Sequence, residues 1–436
     1  MSDWIGSVFE SDAGWTHLER LVDLDNRMAG SEGEREAAEL TRDALADAGL
    51  RNPRLEPFEI QGWTRGDSAI TAGETTQDCI ALPRSPSERV IAPLVDLGYG
   101  LPEDFEETDV ANAIVMVRSD VPNYSDRYIH RREKYHHAVE HGAVGFLYRN
   151  HVEGCLPPTG SVGWNEDPIG PIPALGVSKE VGARLARRFD GESITISVEA
   201  DIHPAESYNV RAEIGPDTDE RVLVTSHVDA HDISEGAMDN GAGTAMVVEI
   251  ATALAEREDD LETCVEFVAF GAEEVGLLGS TRYAEKADRD AIKAVINNDG
   301  VVRDRTLSIV THGFDALEET ATDVGDRYGH PIGTVPKVGP HSDHWSFTRW
   351  GVPGCHVKSK SDNAGRGWGH TVADTIDKLE RRNLSEQAIL LTAYVVELAR
   401  HGVTVEHRDP ADIAADLESQ GLAEGMRTTG DWPYDE

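Results

Sequence analysis

The sequence predicts an α/β protein: a mostly parallel sheet with helices on both faces, interrupted by a second, smaller domain. The first observation is alternation. After residue 205, apolar runs and helical stretches take turns: strand 221–226, helix 242–256, strand 263–270, helix 278–287, strands 293–298 and 305–311, helix 315–328 and a last helix at 385–401. Such alternation is the pattern of parallel strands joined by crossover helices. The second is a change of texture over residues 71–201, with short strands at 90–95, 114–117, 144–148 and 194–198, a helix at 135–141 and a Pro/Gly-rich loop at 156–173. The third is length, since 436 residues exceed what one core usually organises.

In chain order, Ser31-Glu32-Gly33-Glu34 reads as a capping box opening a helix at 35–48, with Gly49 as its stop. Ala37, Leu40, Ala44, Leu45 and Ala48 give that helix one apolar face. Residues 1–70 are therefore assigned to the first part of the main domain, 71–201 to the insert and 202–402 to the rest of the main domain. The polar, acidic segment 403–436 is expected to be loosely docked or partly disordered.

Five residues suited to metals each sit where a strand is expected to run into a loop: His227, Asp239, Glu274, Asp299 and His370. Ligands of open α/β sheets collect at the carboxyl ends of strands, so these positions can converge. Two His and three carboxylates suit zinc, with cobalt or manganese as substitutes. Asp239, in the Gly-flanked turn 236–241, is the natural bridge between two ions. Two metals about 3.5–4 Å apart would lower the pKa of a shared water and polarise a substrate carbonyl. Glu273 neighbours a ligand but points elsewhere, which suits a general base. Asp229, two residues past His227, suits an acceptor for the free imidazole N–H. Other candidates read as bystanders: His341 and His344 as substrate contact or packing, His231 and Asp232 as surface, and His130, His136, His137 and His141 as a solvated helix face.

Composition narrows the partners. Eighty Asp and Glu stand against 40 Lys and Arg, only eight of them Lys, for a net charge of −40. That argues against binding to nucleic acid or an anionic membrane. Spread along the whole chain and poor in Lys, it resembles the proteins of salt-accumulating halophiles. No signal peptide is visible at Met1-Ser2-Asp3-Trp4, and no apolar run approaches a membrane span. Cys79, Cys155, Cys264 and Cys355 lack metal or redox spacing and read as reduced core thiols, so a cytoplasmic location is expected.

The ordered set of motifs resembles the co-catalytic zinc exopeptidases, the family of bacterial leucyl aminopeptidase, aminopeptidase Y and glutamate carboxypeptidase. The matching pieces are Ser226-His227-Val228-Asp229, 236–243, 271–279, Asn298-Asp299, Ser342-Asp343-His344-Trp345-Ser346-Phe347, Gly351-Val352-Pro353, His370-Thr371 and Asp374-Thr375, with Arg27-Met28-Ala29-Gly30-Ser31 upstream. The wording from His227 to Asp239 is similar to the plasma glutamate carboxypeptidase (carboxypeptidase Q) branch, and departs from it just before His370. The resemblance implies two zinc ions, one on His227, Asp239 and Asp299, the other on Asp239, Glu274 and His370. It also implies a cis bond between Asp239 and Asn240 and short peptides as substrates. The pattern 138–147 followed by 173–177 resembles a protease-associated domain, which in such peptidases covers or narrows the active site. Two alternatives share the fold: a glutaminyl-cyclase-like amidohydrolase, for which one zinc is expected, and a transferrin-receptor-like binding protein, which would have lost ligands that are all present here. Arg303, Arg305, Arg349 and Arg366 stand near the motifs as candidate holders of a terminal carboxylate.

Overall fold

A computed structural model describes residues 3–163, 168–360 and 367–434. The chain divides into two compact units: Met1–Ile60, Ala205–Gly369 and Asp374–Asp416 in the first, Gln61–Pro204, His370–Ala373 and Leu417–Glu436 in the second. No helix among the described residues is long and apolar enough to cross a membrane.

The sheet of the first unit runs Gly333–Val335, Leu307–Val310, Gly354–Ser359, Ile292–Asn298, Arg221–His227, Cys264–Phe270 and then the second half of Ser193–Ile214. Its middle is parallel: Arg221–His227 pairs with Cys264–Phe270 on one side and Ile292–Asn298 on the other, and the latter pairs with Gly354–Ser359. Two pairings are antiparallel, Leu307–Val310 with Gly354–Ser359 and Ser193–Ile214 with Cys264–Phe270, which makes the sheet mixed. The three central strands are buried almost end to end, as expected of strands covered on both faces. Helix Ala242–Ala255 covers one face and packs with Ala13–Val22 and Arg381–Leu398.

Helix Glu32–Asp47 starts at Ser31, whose side chain accepts the Glu34 N–H. The helices Asp3–Glu10 and Ala13–Val22 were not evident in the sequence, yet Val8, Leu18 and Leu21 are buried. His17 is buried there too, with Nε2 3.1 Å from the Thr41 hydroxyl, and burial pushes its pKa down to about 3. The sign follows from linkage. The unfolded imidazole takes a proton near pH 6.5 and the folded one only near 3, so stability is full above 6.5 and falls as pH drops between them. The thermal midpoint should therefore fall from pH 7 to pH 4, and less steeply in His17→Gln. A slope unchanged by that substitution would remove His17 as a source of acid lability.

The second unit has parallel strands Glu88–Asp96, Ile114–Arg118, Gly145–Arg149 and Ala174–Val177. Residues of alternating direction fill a core on each face: Ile114, Met116, Leu147 and Ile196 on one, Val115, Val117, Tyr135 and Phe146 on the other. The unit begins at Gln61, earlier than the change of texture at 71, because Trp63 and Ile70 of strand Arg51–Ala72 belong to its core.

Three expectations are corrected. The helix Arg131–Glu140 is no solvated face, since Arg131, Glu133, Lys134, Tyr135, His136 and Ala138 are all buried. The buried ammonium of Lys134 is satisfied internally: its Nζ donates to the carbonyls of Tyr99, Arg118 and Asp120. The C-terminal segment forms helices Pro410–Ser419 and Ala423–Thr428, with Ile413, Leu417, Ala423 and Met426 buried. In the second unit it is tied down by Arg132 on Asp431 at 2.7 Å and by His136 Nδ1 at 2.9 Å from the Thr428 carbonyl. Finally, Cys155 is exposed and not a core thiol; Cys264 and Cys355 are buried.

Candidate metal centre

Strand order decides what meets at the sheet's carboxyl end. Arg221–His227 lies between Cys264–Phe270 and Ile292–Asn298, all three parallel, so their exits are neighbours. The register sets Phe270 opposite His227 and Asn297 opposite Thr225, so the residues just beyond, Glu273 and Asp299, emerge level with the imidazole. Ligand-capable atoms of His227, Glu273 and Asp299 all lie within 4.8 Å of one another. His227 Nε2 is 3.4 Å from Asp239 Oδ1 and 3.9 Å from Asp299 Oδ1. These separations are long for hydrogen bonds but near the roughly 3.3 Å expected between two atoms each bound to zinc at about 2.0 Å with a tetrahedral angle.

The loops are held by buried carboxylates that are not themselves candidate ligands. Asp229 accepts the Glu273 N–H on one oxygen and the Glu274 N–H on the other, each at 3.1 Å. Its Oδ1 is also 3.3 Å from His227 Nδ1, which lies 3.1 Å from the Asp229 carbonyl. Asp374 does the same for the Asp239 turn, accepting the N–H groups of Met238 at 2.8 Å and Asp239 at 3.1 Å. Arg27, buried, donates to the carbonyls of Glu235 and Gly236 just before that turn. Asn240 ties the turn to a strand end, donating to the Asn298 carbonyl at 2.9 Å and accepting from Gly243. Gly243 has to be glycine: a Cβ would meet Asn240 Oδ1 at 2.1 Å and the Asn298 carbonyl at 2.2 Å. The Asp239–Asn240 peptide bond is cis.

Glu274 is buried, with Oε2 3.0 Å from His231 Nε2. This corrects the surface reading of His231, which is buried beside a candidate ligand. The sequence offered the signal, a second His four residues after His227, but no period that would turn it inward. His370 is buried in the second unit, with Nδ1 3.3 Å from the Thr159 carbonyl, four residues before Asp374 in the chain. His341 is exposed, whereas His344 is packed between His312 and His356 in a stack of imidazoles. His356 Nε2 faces the Asp299 carbonyl at 2.9 Å, a contact no motif indicated. Of the candidate carboxylate holders, Arg305 pairs with Glu386, Arg349 lies over Trp350 and Arg303 over Trp368, while Arg366 is outside the described residues.

Charge at this place is lopsided. Burial raises the Glu273 carboxyl well above its usual range; the carboxylates of Glu274, Asp343 and Asp299 push the same way, against His227. Asp343, fully buried, is pushed up to about 7 by burial and by Asp229 and Asp299. Burial disfavours a charge on His227, yet Glu273, Asp229 and Asp239 override it and raise its pKa well above 6.5. Carboxylates crowded in this way hold protons or a cation. The donor set of one imidazole nitrogen and converging carboxylate oxygens fits zinc.

Residues 209–395 match the description Peptidase family M28, and residues 90–185 match the PA domain. Aminopeptidase YwaD of Bacillus subtilis is 26% identical over 417 residues, covering 90% of this chain and 86% of that protein. Carboxypeptidase Q of Bos taurus is 28% identical, covering 65% of this chain and 64% of its own length. Among solved structures, a peptidase M28 precursor from Shewanella amazonensis aligns with a TM-score of 0.76 at 23% identity, covering 93% of this chain and 97% of that one. A zinc aminopeptidase from Bacillus subtilis aligns at 0.71 and 24% identity, covering 88% and 94%. At such identities the structures testify to a shared fold.

Proposed function

We propose that this chain, a member of peptidase family M28 carrying a PA domain, is a two-zinc exopeptidase that removes a terminal residue from short peptides. The observation carrying this reading is the cluster of His227, Glu273 and Asp299 beside Asp239, at adjoining strand ends. In this reading His227, Asp239 and Asp299 hold one zinc, and Asp239, Glu274 and His370 the other; His370 enters on its motif. Bound there, zinc would acidify a water and polarise the scissile carbonyl.

The chain's own residues do the rest. Glu273, whose carboxylate lies beside His227 and Asp299, accepts a proton from the attacking water. It then delivers that proton to the departing amine nitrogen. Asp229 keeps the Glu273 and Glu274 backbone in place and faces Nδ1 of His227, which leaves Nε2 as the nitrogen that would bind a zinc ion.

The relatives' names lean toward a free amino terminus as the group recognised. Kinetics on matched di- to tetrapeptides test this. Amidation of the C-terminus should leave kcat/KM within a few-fold, whereas N-acetylation should abolish cleavage. The opposite pattern would make the enzyme a carboxypeptidase.

The acidic, Lys-poor composition supports a working environment of high salt. At about 1 M salt the Debye length falls to roughly 3 Å, which screens most repulsion among surface carboxylates. The thermal midpoint should rise from low to molar KCl. A flat or falling midpoint over that range would remove the halophilic reading.

A further inference from the structure

The general base and a proposed ligand, Glu273 and Glu274, sit on a short loop whose shape has to come from somewhere. Ala272, which opens it, has φ +55°, a left-handed conformation that a residue with a Cβ adopts only when its surroundings insist. Its N–H is accepted at 3.0 Å by Oε1 of Glu34, from the helix Glu32–Asp47. Glu34 is completely buried, and every hydrogen bond shown to its carboxylate has a fixed partner: the Ser207 hydroxyl at 2.6 Å on Oε1, the Gly30 N–H at 2.6 Å on Oε2. Gly271 accommodates this group, since a Cβ there would meet Ser207 Oγ at 2.2 Å and Glu34 Oε1 at 2.9 Å. Met28 and Ala29, just before, pack in one apolar cluster with Ala272 and Val275. Three successive N–H groups, of Ala272, Glu273 and Glu274, are thus taken by two carboxylates, Glu34 and Asp229.

We infer that Glu34 is a positioning residue of the active centre, whose buried carboxylate locks Ala272 in the conformation from which Glu273 is aimed. This rests on the peptidase reading above. A carboxylate needed only to cap its own helix would not be shared with a loop 238 residues away. The consequence is specific: loosening Glu34 should misplace the base without touching the groups that bind peptide. Displacement of a reacting group by about 1 Å can cost on the order of 10²-fold in rate.

The test uses the full chain with zinc and compares Glu34→Ala with Glu34→Gln. Glu34→Ala should lower kcat by about 10- to 100-fold with KM within about twofold. Glu34→Gln, whose amide oxygen still accepts the Ala272 N–H, should recover most of kcat. Amide hydrogen exchange over 271–275 should quicken in Glu34→Ala and return toward wild type in Glu34→Gln, an arm that needs no peptidase activity. If Glu34→Ala does not fold, Ser207→Ala, which removes only the hydroxyl bonded to Oε1, should show the same signs with smaller size. Wild-type kcat per folded molecule and unchanged exchange over 271–275 in Glu34→Ala would overturn the inference. So would a lowered thermal midpoint as the sole effect. If wild type has no peptidase activity but the exchange pattern holds, the functional reading fails and the positioning role stands.

Discussion

Glu273→Gln is expected to lower kcat by about 10²–10⁴-fold while leaving bound zinc and KM near wild type. The magnitude is that of a positioned acid–base group. Gln keeps the shape, and the main-chain N–H that Asp229 accepts is untouched by the change, so the loop should stay in place. What is lost is the ability to take a proton. Steady-state kinetics together with metal analysis read this directly. Near-wild-type kcat in Glu273→Gln would assign the base elsewhere, with Asp343, a fully buried carboxylate whose pKa is pushed up to about 7, first in line.

Asp239→Asn should act in the opposite way, reducing bound zinc and with it nearly all activity. Asp239 is the residue the two proposed ligand sets share, and its Oδ1 is 3.4 Å from His227 Nε2. An amide keeps one acceptor oxygen but loses the charge, so it cannot serve two cations with both oxygens. The turn itself should survive, because Asp374 and Asn240 hold it through main-chain groups. A variant with full metal content and low kcat would show that Asp239 acts on the reaction and not on metal retention.

The alternation of apolar runs with helical stretches was enough to place the central strands, because a strand buried on both faces advertises itself as a continuous apolar run. The residues following such runs, His227, Glu273, Glu274 and Asp299, could be named for the same reason. Strand order was not legible. Nothing local says that Arg221–His227 lies between the other two, and it is that order which brings His227, Glu273 and Asp299 together.

Other misses share one cause. With 80 acidic residues in the chain, a carboxylate carries little information, so Glu34 reads as half of a capping box and Asp374 as an unassigned part of a motif. Both are buried and both hold main-chain N–H groups of a loop that carries a candidate ligand. The long strand Arg51–Ala72 escaped, and Ser193–Ile214 was read only at 194–198, because prolines and charges break their patterns. The C-terminal helices escaped because a few buried apolar residues, Ile413, Leu417 and Met426, were outnumbered by carboxylates.

The most direct test of the whole account is a zinc titration of chelator-stripped protein, read as residue release from an unblocked tripeptide at molar salt. The account predicts no release without metal, and restoration that levels off at two zinc ions per chain. Full activity in metal-free protein would contradict it outright, and a plateau at one ion would replace the two-zinc exopeptidase with the single-zinc chemistry of the amidohydrolase alternative.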